Sequence, residues 1–198
     1  MKQLLLICAV VALVGCGKKD DGNTGVVNPN KPSPKAVPDK LITDPLVEKA
    51  IRKTLKAIRG VMPTGKLTQA DLEKVKVLDL NFYKLTEVPK GLENLTQLTK
   101  LYLYGNQLTD VKGLEKLTQL RKLYLWGNQL TNVKGLEKLT QLTGLSLDEN
   151  KLTDVKGLEN LTQLKSLNLR GNPDLTKAQI AELQKALPNC KISSNPTK

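Results

Sequence analysis

The chain has 198 residues, which is enough for one ordinary domain and a tail, and 39% of them are apolar, as in globular proteins. It contains no histidine and its three cysteines are scattered, so Ser-His and Cys-His catalytic pairs are excluded and no metal-ligand or disulfide spacing is present. The formal net charge of +12 raises the question of an acidic partner, nucleic acid included.

The N-terminus has the features of an export signal. An apolar run over residues 4–14 follows a lysine and is shorter than the roughly 20 residues of a membrane-spanning helix. It ends in Leu-Val-Gly before Cys16, a tetrapeptide that resembles the bacterial lipobox. The resemblance implies that residues 1–15 are a lipoprotein signal peptide and that lipidated Cys16 anchors the protein to a membrane of the bacterial cell envelope. Gly17, in place of Asp, favours the outer membrane; an ordinary signal peptide with a cysteine near its end is the alternative.

The segment after the signal predicts a tether. Residues 17–40 are rich in Gly, Asn, Pro and Lys and have too few apolar residues to form a core. We therefore expect residues 16–40 to be the lipidated cysteine followed by a flexible connection to the folded part.

A helical N-terminal cap is predicted over residues 41–77. Asp44 before Pro45 is a helix start signal and Gly60 is a stop signal. A capping-box pattern predicts a second, short helix that begins after Thr68. The apolar residues of the first helix recur at helical spacing and predict one buried face, formed by Val47, Ile51, Leu55 and Ile58.

The cap is followed by an internal repeat. Three copies of 22 residues superimpose without a gap from Leu101 onward, and an earlier copy that begins at Leu78 is one residue longer. The three copies without a gap each fit L-x-x-L-x-L-x-x-N-x-L, which identifies the unit as a leucine-rich repeat. The length, and the segment L-T-x-V-K-G-L-E-x-L, make it similar to the bacterial internalin-like subclass. The resemblance covers about residues 41–192.

The physics of one copy predicts a stacked solenoid. Seven buried aliphatic side chains contribute about 10 to 20 kcal/mol, whereas ordering the backbone of 22 residues costs roughly 22 to 44 kcal/mol. A single copy is therefore unstable, and stacking must supply parallel strand pairing and a ladder of asparagines. Tyr83 stands where the first asparagine is expected, so the ladder is predicted to start at Asn106. Its members are Asn106, Asn128, Asn150 and Asn172.

We therefore predict an α/β solenoid, a short leucine-rich-repeat arc with a parallel concave sheet and a helical cap at each end. The repeats occupy residues 78–171, the C-terminal cap residues 172–192 and a tail residues 193–198. A capping box that begins at Thr176 starts the last helix. Cys190 is expected to be a small core residue on the last strand; a reactive thiol is the alternative.

Side chains that alternate with the strand leucines point outward onto the concave sheet. Four of the six aromatic residues fall there and are expected to form one two-by-two block, flanked by lysines and bordered by polar residues of the next strands. A patch of this kind is typical of a binding surface. The alternative is that aromatic residues only stabilise neighbouring strands, or are copied by duplication. The candidate partner-binding residues are Lys100, Tyr102, Tyr104, Lys122, Tyr124, Trp126, Asp148 and Arg170.

The sequence favours a non-catalytic envelope lipoprotein that binds a protein or peptide through this face, as the internalin-like resemblance implies. It suggests no enzyme, cofactor or metal site, because no phosphate loop and no convergent carboxylates are present. Nucleic acid is not expected as a partner of an exported protein, and the repeated Lys and Glu of the convex face are expected to be a solvated surface. Glycan or cell-wall binding, and a purely structural envelope role, remain the alternatives.

Overall fold

The computed structural model describes residues 41–196, and its strands form one parallel sheet whose strand order is the chain order. Leu101 pairs with Leu123, and Leu123 with Leu145, so the predicted 22-residue spacing is the register of the sheet. The predicted solenoid is confirmed. The strands are β1 (Val77–Asp79), β2 (Lys100–Tyr102), β3 (Lys122–Tyr124), β4 (Gly144–Ser146), β5 (Ser166–Asn168) and β6 (Lys191–Ser193).

Leucine supplies most of the core volume. The copy that begins at Leu101 buries all seven of its predicted aliphatic positions completely. The same positions of the neighbouring copies lie above and below them, so each copy buries its apolar side against the next. These seven positions are Leu101, Leu103, Leu108, Val111, Leu114, Leu117 and Leu120.

The asparagine ladder links neighbouring copies through the backbone. The Asn128 amide nitrogen donates to the carbonyl oxygen of Leu103 at 2.9 Å and to that of Leu125 at 3.0 Å, and its oxygen accepts from the Leu108 amide at 3.0 Å. Asn106 repeats this pattern against the first copy, which confirms that the ladder starts there. Each buried amide thereby satisfies polar groups of two turns.

The N-terminal end of the solenoid is covered by helix α1 (Pro45–Arg59) and the short helix α2 (Gln69–Leu72). The Asp44 carboxylate accepts the first helical amides, and Gly60 ends α1 in a left-handed conformation with φ 79°. The capping box of Thr68 is also confirmed. The prediction for Ile58 is wrong: it lies at the end of the buried stripe but is 54% exposed, because the core contains no residue of α1 beyond Leu55.

The convex side consists of turns and three short 3-10 helices, at Leu92–Asn94, Leu136–Lys138 and Leu158–Asn160. The repeated glutamates there are half-buried rather than simply solvated: the Glu115 carboxylate accepts the Gly113 amide at 2.6 Å. Backbone hydrogen bonds of this kind lower the pKa of Glu115, with its own amide the largest cause and that of Gly113 the next. The expectation of a solvated charged surface therefore holds for the lysines but is wrong for these glutamates.

Helix α3 (Lys177–Ala186) covers the other end and begins with the predicted capping box at Thr176. After it, Ile192 of β6 pairs with Leu167, and Cys190 is buried at 4% exposure, as expected of a core residue. The core of the described segment runs from Ile42 to Cys190, so the caps and repeats enclose a hydrophobic core of their own, and we treat residues 41–198 as an independently folding domain.

None of the helices in the described segment is long and apolar enough to cross a membrane. The predicted signal peptide, the lipidated Cys16 and the tether lie outside the described residues.

Candidate functional site

The register of the sheet gathers the predicted aromatic residues. Tyr102 is paired with Tyr124 across β2 and β3, and their ring centroids lie 4.8 Å apart with planes 7° from parallel. Tyr104 and Trp126 stack in the same way, two residues further along, at 5.0 Å and 11°. All four side chains are half-buried. We call these four residues the aromatic block.

The rings stand upright on the sheet. Adjacent strands are about 4.8 Å apart, which equals the ring spacing, and two rings lying flat side by side would overlap at that distance. The faces of the rings therefore point toward the neighbouring strands. One face of Tyr124 is turned toward Ser146 of β4, and one face of Trp126 toward Asp148 just after β4; both of these neighbours are smaller.

Phe82 adds a fifth ring that the sequence analysis missed. Its centroid lies 5.0 Å from that of Tyr104 in an edge-to-face arrangement, and the side chain is 63% exposed. Its backbone has φ 60° at the place where the next two copies have Gly105 and Gly127, with φ 65° and 64°. A bulky residue in this conformation costs roughly 1–3 kcal/mol. Comparing Phe82 with those two glycines is the sequence signal that could have identified it.

The predicted polar residues lie around the block. Lys100 and Lys122 are neighbours in the row next to Tyr102 and Tyr124, and the Lys100 ammonium lies 6.0 Å from the centroid of the Tyr102 ring. This distance is at the limit of a cation–π contact.

Asp148 and Arg170 lie on the next strands. The half-buried Asp148 accepts a hydrogen bond from the Ser146 hydroxyl, and Arg170 is exposed beyond it. The structure thus places all eight predicted residues on one face, in consecutive copies.

A groove of about 480 Å³ adjoins the block at its N-terminal side. One wall comes from α1 and the other from β1 and the turn after it, and Tyr104 belongs to both the groove and the block. Its lining includes Lys53, Thr54, Val77, Asp79, Phe82 and Tyr104.

Among residues 41–196, the structure brings together no group of three His, Cys, Asp or Glu side chains that could hold a metal ion.

Comparison with known families supports the repeat assignment. A leucine-rich-repeat model of two copies matches residues 73–116 and 96–138, and a second leucine-rich-repeat model matches residues 118–173. Together they extend over residues 73–173, about half of the chain. No curated protein matches the chain.

Solved structures with the same fold include an internalin (inlF) from Listeria monocytogenes, with 31% identity and a TM-score of 0.67 over 79% of this chain and 44% of that one. Internalin C2 of the same organism has 28% identity and a TM-score of 0.67, over 80% of this chain and 68% of that one. A Leptospira interrogans leucine-rich-repeat protein has 30% identity and a TM-score of 0.58, over 65% of this chain and 34% of that one. This chain thus spans less than half the length of the first of these. Leucine-rich-repeat domains commonly mediate protein–protein interaction through their extended concave surfaces. The chain belongs to the leucine-rich-repeat proteins.

Proposed function

We propose that this protein is a non-catalytic envelope protein that binds a protein or peptide partner through its concave sheet, with the aromatic block as the anchor of the interface. Tyrosine and tryptophan are the usual energetic centres of protein interfaces. Here they form one surface on rigid strands, which limits the entropy lost on binding.

The observation that carries this proposal is that the fold does not require aromatic residues at these positions. Strand β4 continues the sheet in the same register with Ser146 opposite Tyr124, and β5 continues it with Asn168. Small polar side chains therefore occupy the same row of the same sheet. The exposed Phe82, held in an unfavourable backbone conformation against Tyr104, extends the apolar surface in the same direction.

The groove beside α1 favours a partner with an extended segment. The block continues into this groove at Tyr104, so a strand-like peptide lying across the sheet can contact the rings and then enter the groove. Its residues would meet both Lys53 and Asp79 there, so the groove itself does not select for one sign of charge.

The experiment is affinity capture from a native envelope extract with residues 41–198 as bait. A Tyr102→Ala/Tyr124→Ala/Trp126→Ala variant is expected to lose a protein that the parent captures. A matched control on the same face, Ser166→Ala/Asn168→Ala, is expected to retain it. Equal capture by all three baits contradicts the proposal. Binding of glycans by the parent, with no captured protein, would favour the alternative in which the free faces of Tyr124 and Trp126 stack on sugars.

We also propose, from the lipobox-like sequence, that Cys16 anchors the protein to a membrane of the bacterial envelope. Two or three acyl chains hold a protein firmly on a bilayer, whereas one is marginal. Cys16→Ser is expected to release the protein into the soluble fraction or to leave it unprocessed. Membrane retention of a processed Cys16→Ser protein that survives a high-salt wash would contradict lipidation.

A further inference from the structure

The side of the sheet on which all the strands begin carries positive charges, and no carboxylate lies between them. Backbone hydrogen bonds align the residues just before the strands, from Lys76 through Thr99 and Arg121 to Thr143 and Lys165. The first residues of the strands form the adjacent row. These two rows contain six cations and no acidic residue. We call these six residues the basic edge: Lys76, Lys100, Arg121, Lys122, Lys165 and Lys191.

The basic edge is long and mostly exposed. Six strands at about 4.8 Å spacing extend over about 24 Å, and all of its members except the half-buried Lys100 are exposed. The nearest acidic groups along β1 and its approach are Asp79, one row further into the sheet, and Glu73, at the end of α2. Asp79 belongs to β1 and Glu73 precedes it, so the two rows carry no nearby carboxylate at the starts of the other five strands.

Apolar side chains are exposed at the N-terminal end of the same edge. Ile58, Val61 and Met62, which we call the apolar tip, are 54%, 70% and 47% exposed. An ion pair between Arg59 and Asp71 holds the end of α1 beside α2, which leads directly into β1. The apolar tip therefore lies at the end of the sheet where the strands begin.

The loop that carries Val61 and Met62, after the end of α1, is held in place from within the domain. The Arg52 guanidinium donates to the carbonyl oxygen of Pro63 at 2.8 Å and to that of Gly65 at 2.6 Å. Val61 and Met62 thus remain exposed on a fixed loop instead of folding back onto the core. Exposed apolar side chains on an ordered loop, next to cations, are the combination that binds a lipid interface.

We propose that the basic edge and the apolar tip together form a docking surface for an anionic lipid bilayer. The edge supplies cations that are attracted to anionic headgroups, and the tip inserts apolar side chains at the boundary between headgroups and acyl chains. A soluble polyanion would use the edge but would gain nothing from the tip, so the two features together favour a bilayer. In this orientation the sheet stands on its edge and the aromatic block stays accessible. The surface is separate from Cys16 and does not depend on lipidation.

The test is sedimentation of residues 41–198 with vesicles of phosphatidylcholine and phosphatidylglycerol in equal parts, and with vesicles of phosphatidylcholine alone. We expect binding to the anionic vesicles only, weakened by salt. An edge variant, Arg121→Gln/Lys165→Gln/Lys191→Gln, and a tip variant, Val61→Ser/Met62→Ser, should each weaken it about tenfold or more. None of these substitutions alters the aromatic block, so failure here is distinguishable from failure of the proposed partner site.

The matched control is Lys112→Gln/Lys134→Gln/Lys156→Gln, which removes the same charge from exposed turns away from the edge. It should bind the anionic vesicles within about threefold of the parent. Circular dichroism checks that each variant is folded, and Val61→Thr/Met62→Gln replaces the tip variant if that one is not. The proposal is overturned if the parent does not bind anionic vesicles or if the control loses as much affinity as the edge variant. It is also overturned if a folded tip variant binds like the parent.

Discussion

The ring of Phe82 occupies the space that a side chain at Gly105 would need. A Cβ atom built on Gly105 would lie 2.3 Å from Cε1 and 2.4 Å from Cδ1 of that ring. The glycine is therefore required twice, by its own positive φ and by its neighbour one copy earlier. This contact fixes where Phe82 sits against Tyr104, at the border between the aromatic block and the groove.

Replacing Gly105 measures how much this close approach of the Phe82 ring contributes to stability. Gly105→Ala is expected to lower the free energy of unfolding by about 2 to 4 kcal/mol, because it combines backbone strain with displacement of the ring. Gly127→Ala is the control, since Gly127 has φ 64° and its nearest neighbours would be 3.7 Å away. Gly127→Ala should lower the free energy of unfolding only by the backbone strain, roughly 1–2 kcal/mol. In a Phe82→Ala background the two substitutions should become equal by urea unfolding; a persistent difference contradicts the account.

The asparagine ladder should be energetically important at each step. Asn128→Ala leaves the Leu108 amide and two carbonyl oxygens in the core without their partner. We expect a loss of about 3 kcal/mol or more in the free energy of unfolding, because buried polar groups are left unsatisfied. The neighbouring, exposed Gln129→Ala should change it by less than about 0.5 kcal/mol. Similar urea midpoints for the two variants would contradict the structural role of the ladder.

Acid should weaken the N-terminal cap through Asp71. The pKa of Asp71 is lowered from 3.8 to about 2. The largest cause is the hydrogen bond that its carboxylate accepts from the Thr68 backbone amide, and the next is the one from the Arg59 guanidinium. Since the folded-state pKa is below the unfolded one, the stabilisation is complete above about pH 4 and is lost as the pH falls toward 2.

The comparison is Asp71→Asn against the parent by urea unfolding, with the exposed Glu73→Gln as control. The stability difference for Asp71→Asn should be about 1 kcal/mol or more near pH 6 and should shrink toward pH 2. A difference that is independent of pH would exclude this origin.

Cys190 should be chemically protected in the folded domain. Burial raises the pKa of its thiol, and the reactive thiolate is therefore scarce. In residues 41–198, where it is the sole cysteine, a thiol reagent should react about a hundredfold or more slowly than in urea. Rapid reaction of the native domain would instead support the reactive-thiol alternative.

The sequence predicts most of the fold because each repeat carries its own register. The leucine spacing places Leu123 between Leu101 and Leu145, and the first and last helices have Asp44 and Thr176 as N-caps, as predicted. These features are local or strictly periodic, so no long-range information is needed. Ile58 shows the limit: helical periodicity continues past Leu55, but the core that α1 covers does not.

The candidate site was predictable in part for the same reason. Register alone brings Tyr102 beside Tyr124 and Tyr104 beside Trp126. Phe82 was missed because it lies in the turn after β1, and its position depends on a left-handed backbone that alternation along a strand does not describe. The basic edge combines residues before and at the strand starts, a relationship that becomes visible only when six strands are aligned.

The central claim is that the aromatic block binds a partner, and Trp126 tests it most directly. The measurement is the dissociation constant of the captured partner for the parent domain and for Trp126→Ala, with Asn168→Ala as the control on the same face. We predict that Trp126→Ala weakens binding by about tenfold or more while the control stays within about twofold. An unchanged affinity for a folded Trp126→Ala domain would contradict the claim.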